Sequence, residues 1–445
     1  MANAPRLKIK EREAIIQSLR AGVVPRLGLQ HIQVGRSREL EAMLTDLKRI
    51  EQGGAAIRFV IGEYGSGKTF FLTLVRSIAL QKKMVTAHGD LTPDRRIQAS
   101  GGQAKALYCE LMRNLCTRSK PDGGAIASIV ERFVTSALSE ARDREITTTE
   151  IIQERLAYLS EWVGGYDFAQ VVEAYWRGHD TGDDTLKSAA IRWFRGEYAT
   201  KTEARKALGV RTIVDDTNVY DQLKLMAQLI KLAGYNGFLI ALDEMVNLFK
   251  LSNAQARNSN YEQILRIIND TLQGNSGSFG FILGGTPEFL SDRRRGLYSY
   301  PALQTRLGSN SFAMDGLVDF SGPVIHLENL TPEDLFILLT KIRGVFAKND
   351  PEQFLLQDED IQNFMAHCSQ TIGEAYFRTP RNTITAFINL LAVLEQNPEA
   401  KLDQLIKSQA IEVEVEAAAP SKVTTNRPRP TAAAVEEDDL ASFEL

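Results

Sequence analysis

Residues 62–69 read GEYGSGKT, a combination of glycines, one lysine and one hydroxyl residue that can hold phosphate groups. The segment fits the pattern G-x-x-x-x-G-K-[ST] in full. Its glycines let backbone N–H groups turn inward around phosphates, and a following helix adds the partial positive charge of its N-terminus. Lys68 would contact the β- and γ-phosphates, and the Thr69 hydroxyl would ligate Mg²⁺. The segment therefore predicts a site for a nucleoside triphosphate and its metal.

A second chemical signal is the acidic pair that ends the apolar run FLIALDE, residues 238–244. A strand that ends in this way places Asp243 near the metal and leaves Glu244 able to orient or deprotonate water. A glutamate directly after the aspartate favours hydrolysis over transfer to a held acceptor. The sequence AKND at 347–350 is not the guanine signature N-K-x-D, so we expect ATP and not GTP.

The elements that must position these residues are short apolar runs. The run IRFVIG (57–62) predicts a strand before the glycine loop, TFFLTLVRSIAL predicts the helix after it, and KMVTAHGDL predicts a second strand that ends near Asp90. Three further runs, at 238–244, 278–285 and 323–327, lack alternation, which is typical of parallel strands covered by helices on both faces. We therefore predict an α/β core with a parallel sheet and three layers.

Helical patterns surround that core. We predict an N-terminal helical segment (1–30), an ATPase core (31–330) with a long helical insertion (91–222), and a small helical lid domain (331–410). Thr331 and Pro332 predict the N-cap and first residue of the lid's first helix. Residues 411–445 are rich in Ala, Pro and charge, so we expect them to be disordered when free. Their acidic end, EEDDLASFEL, favours equally a peptide that docks on a partner and a solubilising tail.

Composition limits the classes of protein that need considering. Of 445 residues, 44% are apolar and 24% charged, and no run reaches the roughly 18 consecutive apolar residues of a membrane span. The N-terminus has no apolar region typical of a secretory signal, so we expect a cytoplasmic protein. Three cysteines and five histidines form no CxxC or HExxH pattern, which suggests neither zinc nor a disulfide framework.

A formal charge of −4 supplies no overall attraction to nucleic acid. DNA contact would need a local patch, such as the basic stretch at 95–120 or the turn that contains Arg293, Arg294 and Arg295. For each of these stretches, a solvated protein surface is the alternative interpretation.

The order of these motifs resembles the AAA+ superfamily over residues 30–395. The resemblance implies that Gly35 and Arg36, in IQVGRSREL, contact the adenine side, as in the GRxxE segment of the origin-recognition and STAND branches. It also implies that nine consecutive residues line the nucleotide: Gly62, Glu63, Tyr64, Gly65, Ser66, Gly67, Lys68, Thr69 and Phe70.

The same resemblance assigns three further residues. Thr286 matches the sensor 1 position, where Asn is commoner, and Arg381 matches sensor 2. Arg306 matches the arginine finger that reaches a neighbouring subunit's γ-phosphate, with Arg293, Arg294 and Arg295 as rival candidates. A finger of this kind implies a homo-oligomer.

A narrower resemblance follows from IIQSLRAGVVPRLGLQHIQVGRSREL, GEYGSGKTFFL and FLIALDEM in this order, with a long helical insert between the two ATP motifs. It is similar to the BREX-type ATP-binding proteins of bacterial phage-defence islands and to the related ATPases of Shango-like systems. This likeness implies a defence role beside other defence-system proteins, with a large DNA helicase as a partner.

The sequence as a whole predicts an oligomeric AAA+ ATPase that acts on or beside DNA. One competing hypothesis is a nucleotide-dependent scaffold with little turnover. Another is a small-molecule P-loop kinase.

Overall fold

The computed structural model describes residues 7–274, 277–308, 310, 319–372, 380–400, 402, 404 and 405. Its strands are β1 (Ala55–Gly62), β2 (Val85–Asp90), β3 (Phe238–Asp243), β4 (Phe279–Gly285) and β5 (Val324–Leu327). They form a five-stranded sheet in the order β2-β3-β4-β1-β5, and every pair of neighbours is parallel. The predicted α/β class with a parallel sheet is therefore confirmed. The predicted tail, residues 411–445, lies outside the described residues.

The helices fall into three groups along the chain. Before β2 these are α1 (Ile9–Arg20), α2 (Ser37–Glu51) and α3 (Lys68–Gln81). Between β2 and β3 lie α4 (Gln103–Arg113), α5 (Ile126–Arg144), α6 (Thr148–Leu156), α7 (Gly165–Thr181), α8 (Asp184–Phe194), α9 (Lys201–Leu208) and α10 (Val219–Leu232). After β3 come α11 (Val246–Phe249), α12 (Ala254–Leu272), α13 (Pro287–Ser291), α14 (Pro301–Leu307), α15 (Pro332–Phe346), α16 (Asp358–Ile372) and α17 (Pro380–Gln396). Short 3₁₀ turns occupy Leu29–His31, Ala157–Glu161, Leu297–Ser299 and Pro351–Gln353.

Both faces of the sheet are buried, which explains why its strands lack alternating polarity. On β1, Phe59 and Ile61 face a core shared with the helices between β2 and β3, whereas Ala56 and Val60 face α2 and α3. Successive side chains of a strand point to opposite faces, so a strand covered on both faces is mainly apolar. Arg58 is the exception on β1, and it pairs with Asp46. The result is three layers, with helices on each side of the sheet.

The helices between β2 and β3 pack against the sheet and share its core. On α5 the positions predicted from three- and four-residue spacing are buried in that shared core, among them Ile129, Phe133 and Ala137. The last helix, α10, ends before Gly234, whose φ of 78° suits a glycine after a helix C-terminus. The insertion therefore folds against the core.

Helices α15, α16 and α17, which form the predicted lid, share one hydrophobic core with the N-terminal segment. Thr331 caps α15 by accepting from the N–H of Asp334, and Pro332 is the first helical residue, as predicted. Ile15 of α1 is 0% exposed and packs in the same core as Leu335 and Phe387. The two ends of the described chain thus form one unit, a relation that the sequence did not predict.

Candidate nucleotide-binding site

The glycine loop lies between β1 and α3, as the sequence predicts. Gly65 and Gly67 have φ values of 84° and 87°, a region that favours glycine, and Gly67 is the N-cap of α3. A Cβ at Gly62 would lie 2.4 Å from Ser66 Oγ, so the loop could not close around a larger residue there. Ser66 Oγ is buried and has no hydrogen-bond partner among the described residues, as expected of a polar atom in a ligand cradle.

Lys68, the first residue of α3, folds back over this loop. Its Nζ donates to the carbonyl oxygens of Gly62 at 2.9 Å and Glu63 at 2.8 Å. Burial lowers the pKa of Lys68, and the nearby negative charges of Asp243 and Glu244 oppose that effect. Phosphate oxygens carry more negative charge than these carbonyl oxygens, so a triphosphate can draw the ammonium group from the loop.

The two halves of the predicted site meet at Thr69 and Asp243. Thr69 Oγ1 donates to Asp243 Oδ2 at 2.7 Å, and the N–H of Glu244 donates to Asp243 Oδ1 at 2.9 Å. The Asp243 carboxylate lies directly over Gly284 of β4, where a Cβ would be 2.4 Å from Oδ1. The carboxylate is therefore held by hydrogen bonds on both oxygens and by the sheet beneath it.

Glu244 follows β3 at the carboxyl edge of the sheet and has a φ of 58°. This left-handed conformation is unfavourable for a residue with a side chain, and such strain is found most often at functional sites. Desolvation and the negative charges of Asp243 and Asp90 raise the pKa of Glu244. A raised pKa brings a carboxylate closer to what general-base catalysis requires near neutral pH.

Asp90 lies beside the predicted acids, although the sequence patterns did not predict it as part of the site. Asp90 ends β2 and is in register with Asp243 on β3, and desolvation followed by the charge of Asp243 raises its pKa. Ligands of parallel α/β sheets bind at the carboxyl ends of the strands. An acid as the last residue of the predicted second strand was the signal that could have identified it.

Gly35 and Arg36 lie against the glycine loop, both with positive φ. Arg36 donates to the carbonyl oxygen of Ser66 at 3.3 Å and to that of Glu328, just after β5. A Cβ at Gly35 would lie 3.5 Å from a carboxylate oxygen of Asp334 in the lid. The pair therefore joins the loop, the sheet and the lid, and its contact with adenine stays a prediction.

The other residues of the predicted nucleotide-binding segment differ in their surroundings. Phe70 packs partly against the lid core, which links the start of α3 to the lid. Tyr64 is 51% exposed and Glu63 is also exposed, so solvent reaches both side chains.

Thr286 directly follows β4, the strand that lies between β1, which leads into the glycine loop, and β3, which carries the acids. Its hydroxyl accepts from the N–H of Phe289 at 3.4 Å and so caps the short helix α13. The next helical residues include Glu288, whose charge acts on the pKa of Lys68. The position fits a sensor, but the hydroxyl already has a structural role, and sensing stays a prediction.

The predicted arginines have partners in other parts of the fold. Arg306 donates to Asn269 Oδ1 at 2.8 Å and to the carbonyl oxygen of Ala302 at 2.9 Å. The stem of Arg381 lies against Gly22, with its Cδ 3.4 Å from where a Cβ would be, and so joins the lid to the N-terminal segment. The finger and sensor 2 roles stay predictions.

The glycine loop, the linked hydroxyl and carboxylate, and the parallel sheet together define an α/β protein of the nucleotide-binding class. Residues 7–410 match the family described as BREX system ATP-binding protein BrxC/D, and the chain belongs to that family. The resemblance to BREX-type ATP-binding proteins is thereby confirmed. No curated protein matches the chain. Among the described residues, no helix has the length and apolar character needed to cross a membrane.

Proposed function

We propose that this protein is an AAA+ ATPase that binds ATP with Mg²⁺, hydrolyses it within a homo-oligomer in the cytoplasm, and acts with DNA and a helicase partner in phage defence. The observation that carries the catalytic part is the 2.7 Å hydrogen bond between Thr69 and Asp243, which are 174 residues apart in sequence. It joins the phosphate-binding loop and the acidic strand end at a single point.

The residues at this point fit Mg²⁺. Neighbouring ligands of an octahedral magnesium ion lie roughly 2.9 Å apart, given ligand distances of about 2.0–2.1 Å. The oxygens of Thr69 and Asp243 are 2.7 Å apart, and both are the hard ligands that Mg²⁺ prefers. These two residues would hold the ion, which would neutralise phosphate charge.

Each remaining side chain has a distinct task in this proposal. Lys68 leaves the carbonyl oxygens of the loop and binds phosphate oxygens. Glu244, placed beside Asp243 by its left-handed backbone, orients water and accepts its proton. Backbone N–H groups of the loop and the N-terminus of α3 stabilise phosphate charge.

The AAA+ assignment and the oligomer rest on the position of each element. Strand β4 lies between β1 and β3, so Thr286 follows the strand between the loop and the acids. Arg306 lies in α14 at the position that resembles the finger of AAA+ proteins, and to reach a neighbouring copy it would have to leave Asn269. The BREX family supports the defence role. The DNA, the helicase partner and the kinship with Shango-like systems rest on the resemblance in sequence alone.

The experiment that tests hydrolysis is Glu244→Gln, which keeps the size of the side chain and removes the base. We expect ATP affinity to be retained and phosphate release to fall by about 10²–10⁴-fold. Lys68→Ala is the matched control and should weaken ATP binding itself. Phosphate release at the wild-type rate in Glu244→Gln would show that this carboxylate is not the base.

A second candidate function is a nucleotide-locked scaffold with little turnover. Thr286 favours it, because it stands where Asn is commoner, and a hydroxyl offers a γ-phosphate one donor and a shorter reach than an amide group with two. Phage protection in cells that carry Glu244→Gln separates the two candidates. Protection that persists without hydrolysis supports the scaffold, and loss of both supports the ATPase.

A further inference from the structure

A basic pocket opens at the edge of the sheet opposite the nucleotide site. It has a volume of about 470 Å³ and is lined by Lys83, Thr117, Arg118, Ser119, Arg132, Gly234 and Tyr235. Three of these side chains are cations, three carry hydroxyl groups, and none is a carboxylate. The pocket therefore offers an anion both positive charge and hydrogen-bond donors.

Its distance from the nucleotide site follows from the strands. Lys83 lies just before β2, and Gly234 and Tyr235 lie just before β3. Asp90 and Asp243, at the other ends of these strands, belong to the nucleotide site. A strand of this length spans roughly 20 Å, so the pocket is a separate site.

Two backbone features and one aromatic ring hold Arg132 and Arg118 at the pocket. Arg132 Nε donates to the carbonyl oxygen of Ala233 at 2.8 Å, and its guanidinium lies 4.9 Å from the centre of the Tyr235 ring. Arg118 lies in a tight turn closed by Thr117 and Lys120, whose N–H groups each donate to the other's carbonyl oxygen at 3.1 Å. Arg132 in particular is oriented before any ligand arrives.

The pocket cations differ from two arginines of the basic stretch 95–120. Arg95 and Arg113 both pair with Glu110, at 3.3 and 2.8 Å. The side chains of Lys83 and Arg118 make no ion pair or hydrogen bond within the described part of the chain. The pocket thus concentrates uncompensated positive charge on a chain whose net charge is −4.

We propose that this pocket binds the phosphodiester backbone of a nucleic acid strand. The inference rests on the part of the proposed function in which the protein acts with DNA. It identifies this pocket as the surface that contacts the nucleic acid. Cations with adjacent hydroxyl groups are the donors that contact phosphate oxygens, and these contacts carry no base preference.

The neighbouring groove indicates how much of a strand the pocket holds. That groove, about 960 Å³, shares Arg132 and Gly234 with the pocket, and its three acids, Glu131, Glu140 and Asp143, outnumber the one further cation, Arg155. These acids repel a polyanion, so a strand would cross the pocket and not follow the groove. We therefore expect two or three phosphate contacts.

The test is binding of the full chain to fluorescent twenty-nucleotide oligo-dT, followed by anisotropy between 50 and 200 mM KCl. The variant is Lys83→Gln with Arg118→Gln, since neither side chain supports the fold. The matched control is Arg205→Gln with Lys206→Gln, which removes the same charge from the exposed face of α9.

We expect the pocket variant to bind at least ten-fold more weakly at 100 mM KCl, while the control binds like the wild type. The slope of log affinity against log salt should fall by about 1.4, because each lost contact with a single strand contributes about 0.7. Oligo-U should behave like oligo-dT, because the pocket reads the backbone.

Three results would overturn the proposal: equal binding by the pocket and control variants, no binding by the wild type at 50 mM KCl with ATP·Mg²⁺ present, or displacement of oligo-dT by poly-glutamate at equal charge. The last would indicate an acidic protein partner. ATP hydrolysis without nucleic acid is measured on the same preparations. Its absence from the wild type would refute the ATPase proposal and leave the pocket result unaffected.

Discussion

Replacing Gly284 by alanine should disable the site without touching any residue that contacts ATP. A Cβ at this position would lie 2.4 Å from Asp243 Oδ1 and 3.2 Å from its Cγ. Ordinary contact begins at 3.4 Å. The carboxylate must therefore move by about 1 Å, the difference between 3.4 and 2.4 Å.

This displacement acts on two hydrogen bonds to one charged group. The Thr69 hydroxyl and the Glu244 N–H both donate to the Asp243 carboxylate, and each bond to a charged group is worth about 1.5–3 kcal/mol. A misplacement of about 1 Å in a catalytic arrangement can reduce the rate by about 10²-fold. We expect kcat to fall by about 10²-fold and the Mg²⁺ concentration required for half-maximal activity to rise.

The assay is steady-state ATP hydrolysis across a Mg²⁺ titration, with Gly280→Ala as the matched control. Gly280 lies on the same strand and its Cβ would also approach an atom to 2.4 Å, but that atom is the terminal Cδ1 of Ile50. Both variants should lose about 1–3 kcal/mol of stability through overpacking. Only Gly284→Ala should change the Mg²⁺ dependence.

Wild-type activity and Mg²⁺ dependence in Gly284→Ala would refute the view that Asp243 is held against β4. Equal losses of activity in both variants would assign the effect to general damage of the sheet.

Three other predictions concern the acids and the lid. Glu244→Gly should be more stable than Glu244→Ala by about 0.5–1 kcal/mol, because glycine relieves the left-handed backbone while both remove the base; the reverse order in chemical denaturation would contradict it. The pKa of Glu244 in the free protein is raised, and the base acts only when deprotonated, so kcat/KM should fall as pH decreases through a value above the ordinary 4.5. A kcat/KM profile that stays flat down to pH 4.5 would exclude a base with a raised pKa at Glu244. Ile15→Ala should cost about 2–5 kcal/mol through the cavity left in the lid core, visible as a lower unfolding midpoint; an unchanged midpoint would show that α1 does not support the lid.

Local signals in the sequence were sufficient to predict the strands, the glycine loop and the acidic pair. The loop pattern needs eight consecutive residues, and the strand that carries Asp243 is marked by an unbroken apolar run. The contact between Thr69 and Asp243 follows once both motifs are assigned to one parallel sheet. These predictions succeeded because each depends on neighbours in the chain or on a general rule of sheets.

Features that depend on register or distant packing could not be predicted. Asp90 lies beside Asp243 only because β2 and β3 pair in one register, across the helices of residues 91–237. The contact of Arg36 with the Ser66 carbonyl oxygen depends on where α2 packs. No local pattern contains that information.

The capping role of Thr286 is a different case, since its signal was present. Thr286, Pro287 and Glu288 repeat the order of residues that correctly predicted the start of α15 at Thr331. This local pattern by itself predicts an N-cap at Thr286. Local chemistry of the backbone explains where that hydroxyl points.

The shared core of α1 and the lid affects the order in which the chain folds during translation. The Thr385 hydroxyl donates to the carbonyl oxygen of Leu19 at 3.1 Å across 366 residues. Closing such a loop directly from an unfolded chain costs about 5 kcal/mol of entropy. Prior folding of the sheet and its insertion shortens this loop, so the lid should form last. Until α17 leaves the ribosome, the apolar side of α1 remains exposed to solvent. We therefore expect chaperones to bind the nascent chain at this surface.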